Sequence, residues 1–209
     1  MAVVCPTVMG ASSKEYREAI ERVADFAERI HIDFSDGVFA PTKLESIDDA
    51  WWPIGLMVDF HIMYQRPLDY IESVLLHQPN LAIIHAEADG VNEFLRELDG
   101  LGINKGLALL KDTPVDVIKP NLELIDHVLI FSGDLGYYGG RVNFDLLGKV
   151  REVQQLNPAM EIGWDGGINA ETIKRLADGG VDVLNVGGAI QKSEDPEKAY
   201  DILCEDIQS

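Results

Sequence analysis

The sequence predicts an α/β fold, a (β/α)8 barrel formed by one domain over residues 1–209. Short apolar runs alternate with amphipathic stretches along the whole chain. The runs are continuously apolar, which is typical of strands buried on both faces of a parallel sheet. Eight strand–helix units average about 26 residues each, close to the ~30 residues of a strand–helix–strand unit. The alternative is an open, doubly wound sheet, but the G-x-G-x-x-G fingerprint of that fold does not follow the first strand, so the barrel is favoured.

The elements are assigned from apolar periodicity and from their end signals. Eight apolar runs are predicted as strands, at residues 2–6, 29–33, 56–63, 81–85, 104–109, 124–131, 160–165 and 181–186. The stretches between and after them are predicted as helices, at residues 12–28, 67–77, 91–101, 114–118, 143–155, 169–178, 189–191 and 195–206. Ser12 or Ser13 caps the first helix, and Pro67 suits the first turn of the second. A loop with a short helix runs from strand 2 to Trp52.

Composition limits the classes of partner. The net charge of −19 argues against nucleic acid and against anionic membranes. No apolar run is long enough to span a bilayer, and residues 1–10 lack the pattern of a signal peptide. Two cysteines, Cys5 and Cys204, form neither a disulfide framework nor a metal-binding spacing. We therefore expect a cytoplasmic protein, in which any phosphorylated ligand would have to be bound by local backbone donors rather than by the overall charge.

Polar residues gather at the carboxyl ends of the predicted strands, where (β/α)8 barrels build their active sites. His31 and Asp33 point to the same side of strand 2 because strand side chains alternate with period two. His61 on strand 3 and Asp165 on strand 7 can reach the same point. A lone strand-end histidine is more often structural, but four such residues on one rim favour a metal site. Two imidazoles and two carboxylates suit one divalent ion of Zn, Mn, Fe or Co better than Ca or Mg.

Glycine pairs follow the last strands. Gly166-Gly167 comes after strand 7 and Gly187-Gly188 after strand 8, each leading into a helix. Either pair alone would fit an ordinary tight turn. Together they predict a phosphate site, because glycine lets backbone N–H groups approach a ligand and loops 7 and 8 commonly bind phosphate in this fold. Gly139-Gly140, after strand 6, can add donors.

These residues carry a pattern that resembles the ribulose-phosphate 3-epimerase family over nearly the whole chain. The matching stretches are HIDFSDGVFAPT, DFHIMYQRPLDYI, IIHAEA, KGLALLKDTP and WDGGINAETIKRLADGGVDVLNVGGAIQ. The resemblance implies that His31, Asp33, His61 and Asp165 hold the metal. It also implies that Asp33 and Asp165 are the acid/base pair of an epimerisation at C3, which passes through a 2,3-enediolate. Ribulose 5-phosphate and xylulose 5-phosphate are the implied substrate and product.

Further contacts follow from the resemblance and from position at the rim. Thr7, Met63 and His85 are expected to contact the substrate. Three features depart from the family pattern: Thr7 replaces a serine, Ser35 replaces a methionine, and the loop after Phe131 is altered. These changes alter the walls of the site, so another ketose phosphate, such as allulose 6-phosphate, is an alternative substrate.

Two other functions compete with epimerisation. A related decarboxylase or aldolase would be expected to carry Asp-x-Lys at a strand end, and this sequence has none. A barrel that only binds a sugar phosphate is a further alternative, but binding alone does not need two opposed carboxylates. Family members are often dimers or hexamers, so the resemblance implies a homo-oligomer.

Overall fold

The computed structural model describes residues 2–208. Eight parallel strands, β1 to β8, are Val3–Val8, Arg29–Ser35, Met57–Met63, Leu81–His85, Asn104–Leu109, His127–Phe131, Glu161–Asp165 and Val183–Val186. They pair in chain order, and β1 also pairs with β8, which closes the barrel. The predicted (β/α)8 fold is confirmed. One domain over residues 1–209 stays a prediction, and Met1 and Ser209 lie outside the described residues.

Helices follow most strands. The α-helices α1 to α7 are Ser13–Glu21, Ile71–His77, Val91–Glu97, Leu147–Leu156, Ile173–Asp178, Gly188–Gln191 and Pro196–Asp206. Four 3₁₀ segments complete the set, at Ile47–Asp49, Pro67–Tyr70, Val115–Asn121 and Phe144–Leu146. Between residues 2 and 208, no helix combines the length and the apolar character needed to cross a bilayer.

Several helices differ from their predicted bounds. The helix predicted at 12–28 has Ser12 as its cap but ends at Glu21. The residues after it form turns, and Val23 and Ala27 in this segment are buried. The helix predicted at 169–178 begins at Ile173, because the Asn169 side chain accepts a hydrogen bond from the backbone of Glu171 and holds a turn there.

The core lies mainly between the barrel and its helices, where alternate strand residues pack outward. Trp164 is fully buried on this outer side, and its indole N–H donates to the Gly166 carbonyl oxygen at 3.2 Å. A smaller cluster inside the barrel contains Leu81, Ile83, Ala108 and Leu129. This apolar layer lies below the polar residues at the carboxyl ends of the strands. Those polar residues therefore surround a depression that is open only at the carboxyl end of the barrel.

Candidate active site

Four side chains converge at the carboxyl end of the barrel. His31, Asp33, His61 and Asp165 each offer one nitrogen or oxygen atom, and these four atoms all lie within 4.8 Å of one another. The strands place them there. Asp33 is in register with His61, and His31 lies two residues before Asp33 on the same face of β2.

The contacts within this cluster centre on the Asp33 carboxylate. Its Oδ1 lies 2.9 Å from His61 Nδ1 and 3.3 Å from His31 Nε2. Asp165 stands further off, with its Oδ2 3.7 Å from His61 Nδ1 and 4.0 Å from His31 Nε2. Asp33 and His61 are thus within hydrogen-bond distance, whereas both contacts of Asp165 are longer than a hydrogen bond.

The donor set fits a divalent metal ion. Both ring nitrogens of His31 are buried and have no hydrogen-bond partner, which is costly unless a ligand satisfies them. Two imidazoles with two carboxylates are the mixed N/O set that transition metals accept. A cation would also compensate the two buried carboxylates that face each other here.

Burial and charge separate the two carboxyl groups. Burial opposes ionisation of Asp33, but the adjacent imidazoles of His31 and His61 outweigh it and lower the pKa of Asp33. Burial, reinforced by the negative charge of Asp33, raises the pKa of Asp165. Burial also lowers the pKa of His61 to about 4, even though Asp33 lies beside it. The two like carboxyl groups are thus pushed in opposite directions by their surroundings, a pattern that is typical of acid/base pairs.

A cavity of about 280 Å³ opens above the two carboxylates. Thr7 and Met63, which were predicted to contact the substrate, line it. All six glycines of the three predicted phosphate-site pairs also line it: Gly139, Gly140, Gly166, Gly167, Gly187 and Gly188. These eight residues therefore lie where the predicted contacts require them, and the contacts themselves stay predictions.

The glycines after β7 are needed for close backbone packing as well. Gly166 and Gly167 have φ angles of 103° and 77°, where other residues are strained. A Cβ on Gly166 would lie 2.1 Å from the backbone nitrogen of Gly133, and one on Gly167 would lie 2.4 Å from that of Val142. The loop that follows β7 thus packs directly on the loop that follows β6.

The loop that follows β6, residues 132–142, covers one side of the cavity. Tyr138 attaches it to the opposite side, because its hydroxyl oxygen accepts a hydrogen bond from the Met9 N–H at 2.8 Å. The altered loop was recognised in the sequence, but Tyr138 was not. A tyrosine near a glycine pair gives no signal of a partner more than a hundred residues away.

His85 has a different position from the one expected. It does not line the cavity; its ring is fully buried behind His61, with the two Nε2 atoms 2.9 Å apart. His85 Nδ1 lies 3.5 Å from a Glu87 carboxylate oxygen. Glu87 in turn accepts hydrogen bonds from the Leu110 N–H and the Thr113 hydroxyl. A contact of His85 with the substrate stays a prediction, and the geometry places it instead behind a metal-site histidine.

Two further polar residues line the cavity and were not singled out from the sequence. Asn185 faces inward from β8, and Lys192 follows the short helix α6. The signal for Asn185 was available, since it lies two residues before Gly187 on an otherwise apolar strand. Lys192 brings a positive charge to the glycine pairs in a chain whose net charge is −19.

Comparisons with known proteins agree with this geometry. Residues 3–191 match the model of the Ribulose-phosphate 3 epimerase family. A curated Ribulose-phosphate 3-epimerase from Bacillus subtilis is 29% identical, over 95% of this chain and 96% of the relative. One from Helicobacter pylori is 30% identical, over 96% of this chain and 95% of the relative.

Solved structures with the same fold are more distant in sequence. The 3-hexulose-6-phosphate synthase of Salmonella typhimurium aligns with a TM-score of 0.72 at 14% identity, covering 99% of this chain and 98% of that one. KGPDC from Streptococcus mutans aligns with a TM-score of 0.71 at 11% identity, covering 100% of this chain and 98% of that one. At such low identity, these similarities support the barrel fold alone.

Proposed function

This chain belongs to the Ribulose-phosphate 3 epimerase family, and we propose on that premise that it interconverts ribulose 5-phosphate and xylulose 5-phosphate by inverting C3. The membership confirms the resemblance found in the sequence and the prediction of an isomerase. The observation that carries the proposal is the pair of buried carboxylates, Asp33 and Asp165, with opposite pKa shifts at one cavity.

The two carboxylates supply the proton transfers. Asp33 takes the proton from C3 of one epimer, and the electron pair of the C–H bond moves toward the C2 carbonyl to give a 2,3-enediolate. Asp165 gives a proton to the other face of C3, which restores the carbonyl with inverted configuration. The roles exchange in the reverse direction. The lowered pKa keeps Asp33 ionised, the form that accepts a proton, and the raised pKa lets Asp165 carry the proton that it donates.

His31, Asp33, His61 and Asp165 are the proposed metal ligands. The chemistry that a bound divalent ion supplies is Lewis-acid stabilisation of negative charge on the substrate oxygens. Zn, Mn, Fe and Co are the proposed candidates, because the mixed nitrogen and oxygen donors suit them. Both carboxylates are largely buried, with side-chain exposures of 9% and 13%, and burial strengthens the charge interactions among these groups.

The phosphate is proposed to bind at the glycine pairs. Gly166-Gly167 and Gly187-Gly188 present backbone at the rim of the cavity, and Gly139-Gly140 faces them from the covering loop. Backbone N–H groups bind an anion without the long-range attraction that an acidic protein lacks. Lys192 adds one charge at the same place.

Allulose 6-phosphate, or another ketose phosphate, is the second candidate substrate. Phe131 and Tyr138 line the cavity in the region where the loop after β6 is altered, and this region would face the sugar chain. A barrel that binds sugar phosphate without turnover is the third candidate, and the split between the two carboxyl groups counts against it. We also propose a cytoplasmic homo-oligomer; a curated relative from Oryza sativa is named as a cytoplasmic isoform.

The test is a panel of ketose 5- and 6-phosphates incubated with the purified protein after loading with Mn, Zn, Fe or Co. We expect the C3 epimer of ribulose 5-phosphate to form fastest. Faster epimerisation of a 6-phosphate would move the assignment to the second candidate. Metal analysis that finds no bound ion, with no activation by added ions, would favour the binding protein.

A further inference from the structure

Asn185 on β8 is a buried polar residue without a partner. Its exposed fraction is only 2%, and neither the oxygen nor the nitrogen of its carboxamide has a hydrogen-bond partner among the described residues. Buried amides are nearly always hydrogen-bonded, because removing them from water without a partner is costly. An unpartnered carboxamide that lines a cavity therefore indicates a ligand group.

The strand pairing shows where this carboxamide lies. Asn185 is in register with Asp165 on one side and with Cys5 on the other. The Cys5 thiol is fully buried, and burial raises its pKa, so it stays neutral and offers only a weak hydrogen bond. Asn185 thus has the proposed catalytic carboxylate of Asp165 on one neighbouring strand. On the other strand, Cys5 offers it no strong hydrogen bond.

Asn185 lies between the two carboxylates and the glycine pairs, and this position indicates which group of the substrate it contacts. The reacting carbon is proposed to lie between Asp33 and Asp165, and the phosphate at the glycine pairs. Asn185 is level with Asp165 and two residues before Gly187 on its own strand. Between the reacting carbon and the phosphate, a ketose 5-phosphate has one hydroxyl group, on C4.

We propose that Asn185 is a specificity-determining residue that hydrogen-bonds the hydroxyl group of the substrate on the phosphate side of the reacting carbon. This inference rests on the proposed function. A carboxamide suits the task because it can both donate to and accept from a hydroxyl, and it does not compete with Asp33 and Asp165 for protons. A site built to bond a hydroxyl rejects an analogue that lacks it, because the polar groups of the protein are then left unpaired.

The experiment compares Asn185→Leu with the parent enzyme on two substrates, ribulose 5-phosphate and its 4-deoxy analogue. The parent is expected to prefer ribulose 5-phosphate by a factor on the order of 10² or more in kcat/KM. The variant is expected to lose most of that preference, through a fall in kcat/KM for ribulose 5-phosphate. The ratio of the two kcat/KM values does not depend on the fraction of folded protein, and Asn185→Ala provides a second variant with less steric demand.

Asn121→Leu is the matched control. Asn121 is also buried, but its oxygen accepts a hydrogen bond from Asn92 at 2.8 Å, outside the cavity. Its substitution should leave the substrate preference unchanged. An equal loss on both substrates at position 185, or an unchanged preference, would overturn the inference while the proposed function stood. If the parent epimerises neither compound nor any other ketose phosphate, the proposed function fails and this inference fails with it.

Discussion

The two ends of the barrel carry the same kinds of side chain in opposite states. At the amino end, Arg29 bonds Asp59 at 2.6 Å and makes a two-pronged contact with Glu161 at 2.9 and 3.1 Å. His127 Nδ1 lies 2.7 Å from the same Glu161 carboxylate. These histidine and carboxylate groups have charged partners.

At the carboxyl end, the carboxylates Asp33 and Asp165 have histidines beside them but no arginine or lysine in the described part of the chain. No arginine or lysine pairs with Asp33 or Asp165 among the ion pairs of residues 2–208, and both nitrogens of His31 are unpartnered. Charged groups that form ion pairs contribute to the stability of the fold. Buried polar groups that have no hydrogen-bond partner are instead candidates for binding a ligand. Both ends contain histidines and carboxylates, so these residue types do not distinguish them. The difference is that the carboxylates pair with Arg29 at the amino end and with no described arginine or lysine at the carboxyl end.

The largest expected effect is on catalysis at the carboxyl end. Asp33→Asn and Asp165→Asn should each lower kcat by at least about 10³-fold, because each removes one of the two proton-transfer groups. Circular dichroism should show an unchanged fold, since neither carboxylate pairs with an arginine or a lysine between residues 2 and 208 and asparagine has nearly the same shape. Full turnover by either variant would contradict the acid/base assignment.

The next largest effect is on stability at the amino end. Arg29→Met leaves Asp59, which is 1% exposed, without its cation, so the free energy of unfolding should fall by about 3–5 kcal/mol. Urea unfolding measures this, and kcat/KM of the folded variant should stay close to that of the parent. Lys14→Met, in an exposed pair with Glu18, is the control that should change little. A collapse of kcat/KM in Arg29→Met under native conditions would mean that the two ends are not independent.

A smaller effect is expected at the residue behind the metal site. His85→Ala removes the imidazole that hydrogen-bonds His61 Nε2 and so orients the His61 ring. The affinity of the site for the metal should therefore fall by about 10–100-fold. Competition with a chelator of known affinity measures this directly, without an activity assay. His85→Gln, which can still bond His61, should restore part of the affinity, and His77→Ala on the outer helix α2 should have none of the effect. Unchanged affinity in His85→Ala would leave His85 without a positioning role.

The smallest effect is the pH dependence of the amino-end cluster. Burial opposes ionisation of Glu161, but His127 and Arg29 outweigh it and lower its pKa from 4.5 to about 2. A carboxyl group with a lowered pKa stabilises the fold above pH 4.5, and this contribution is lost as the pH falls from 4.5 toward 2.

Glu161→Gln should therefore be less stable at neutral pH by about 1–2 kcal/mol, a value discounted because 39% of the side chain is exposed. Its stability should also fall less steeply between pH 4.5 and 3 than that of the parent. Urea titrations across this range measure both quantities. Parallel curves for the two proteins would show that Glu161 does not account for this part of the acid sensitivity.

Much of the fold and of the candidate site could be predicted from sequence. Strands β4 and β5 have the predicted bounds, because apolar runs in a buried parallel sheet end where polar or turn residues begin. The two histidines and two aspartates that converge at the carboxyl end were singled out because strand ends share one rim and side chains alternate. Both rules depend only on local sequence and on the topology of the barrel.

What could not be predicted depends on contacts between distant segments. The resemblance and the strand position indicated that His85 lies at the rim, but neither could show that its ring packs against His61, with the two Nε2 atoms 2.9 Å apart. Tyr138 reaches Met9 only when the loop after β6 folds over the cavity. Asn185 gains its significance from the absence of a partner, which only the packed structure can show.

The carboxyl-end cluster is expected to remove the proton from C3 of a ketose phosphate. Nuclear magnetic resonance of ribulose 5-phosphate, incubated in heavy water with the metal-loaded protein, detects this step as hydrogen exchange with the solvent. We predict that deuterium enters at C3, and at no other carbon, as xylulose 5-phosphate forms. A protein with a full complement of metal that leaves the C3 hydrogen of every ketose 5- and 6-phosphate unexchanged would contradict it.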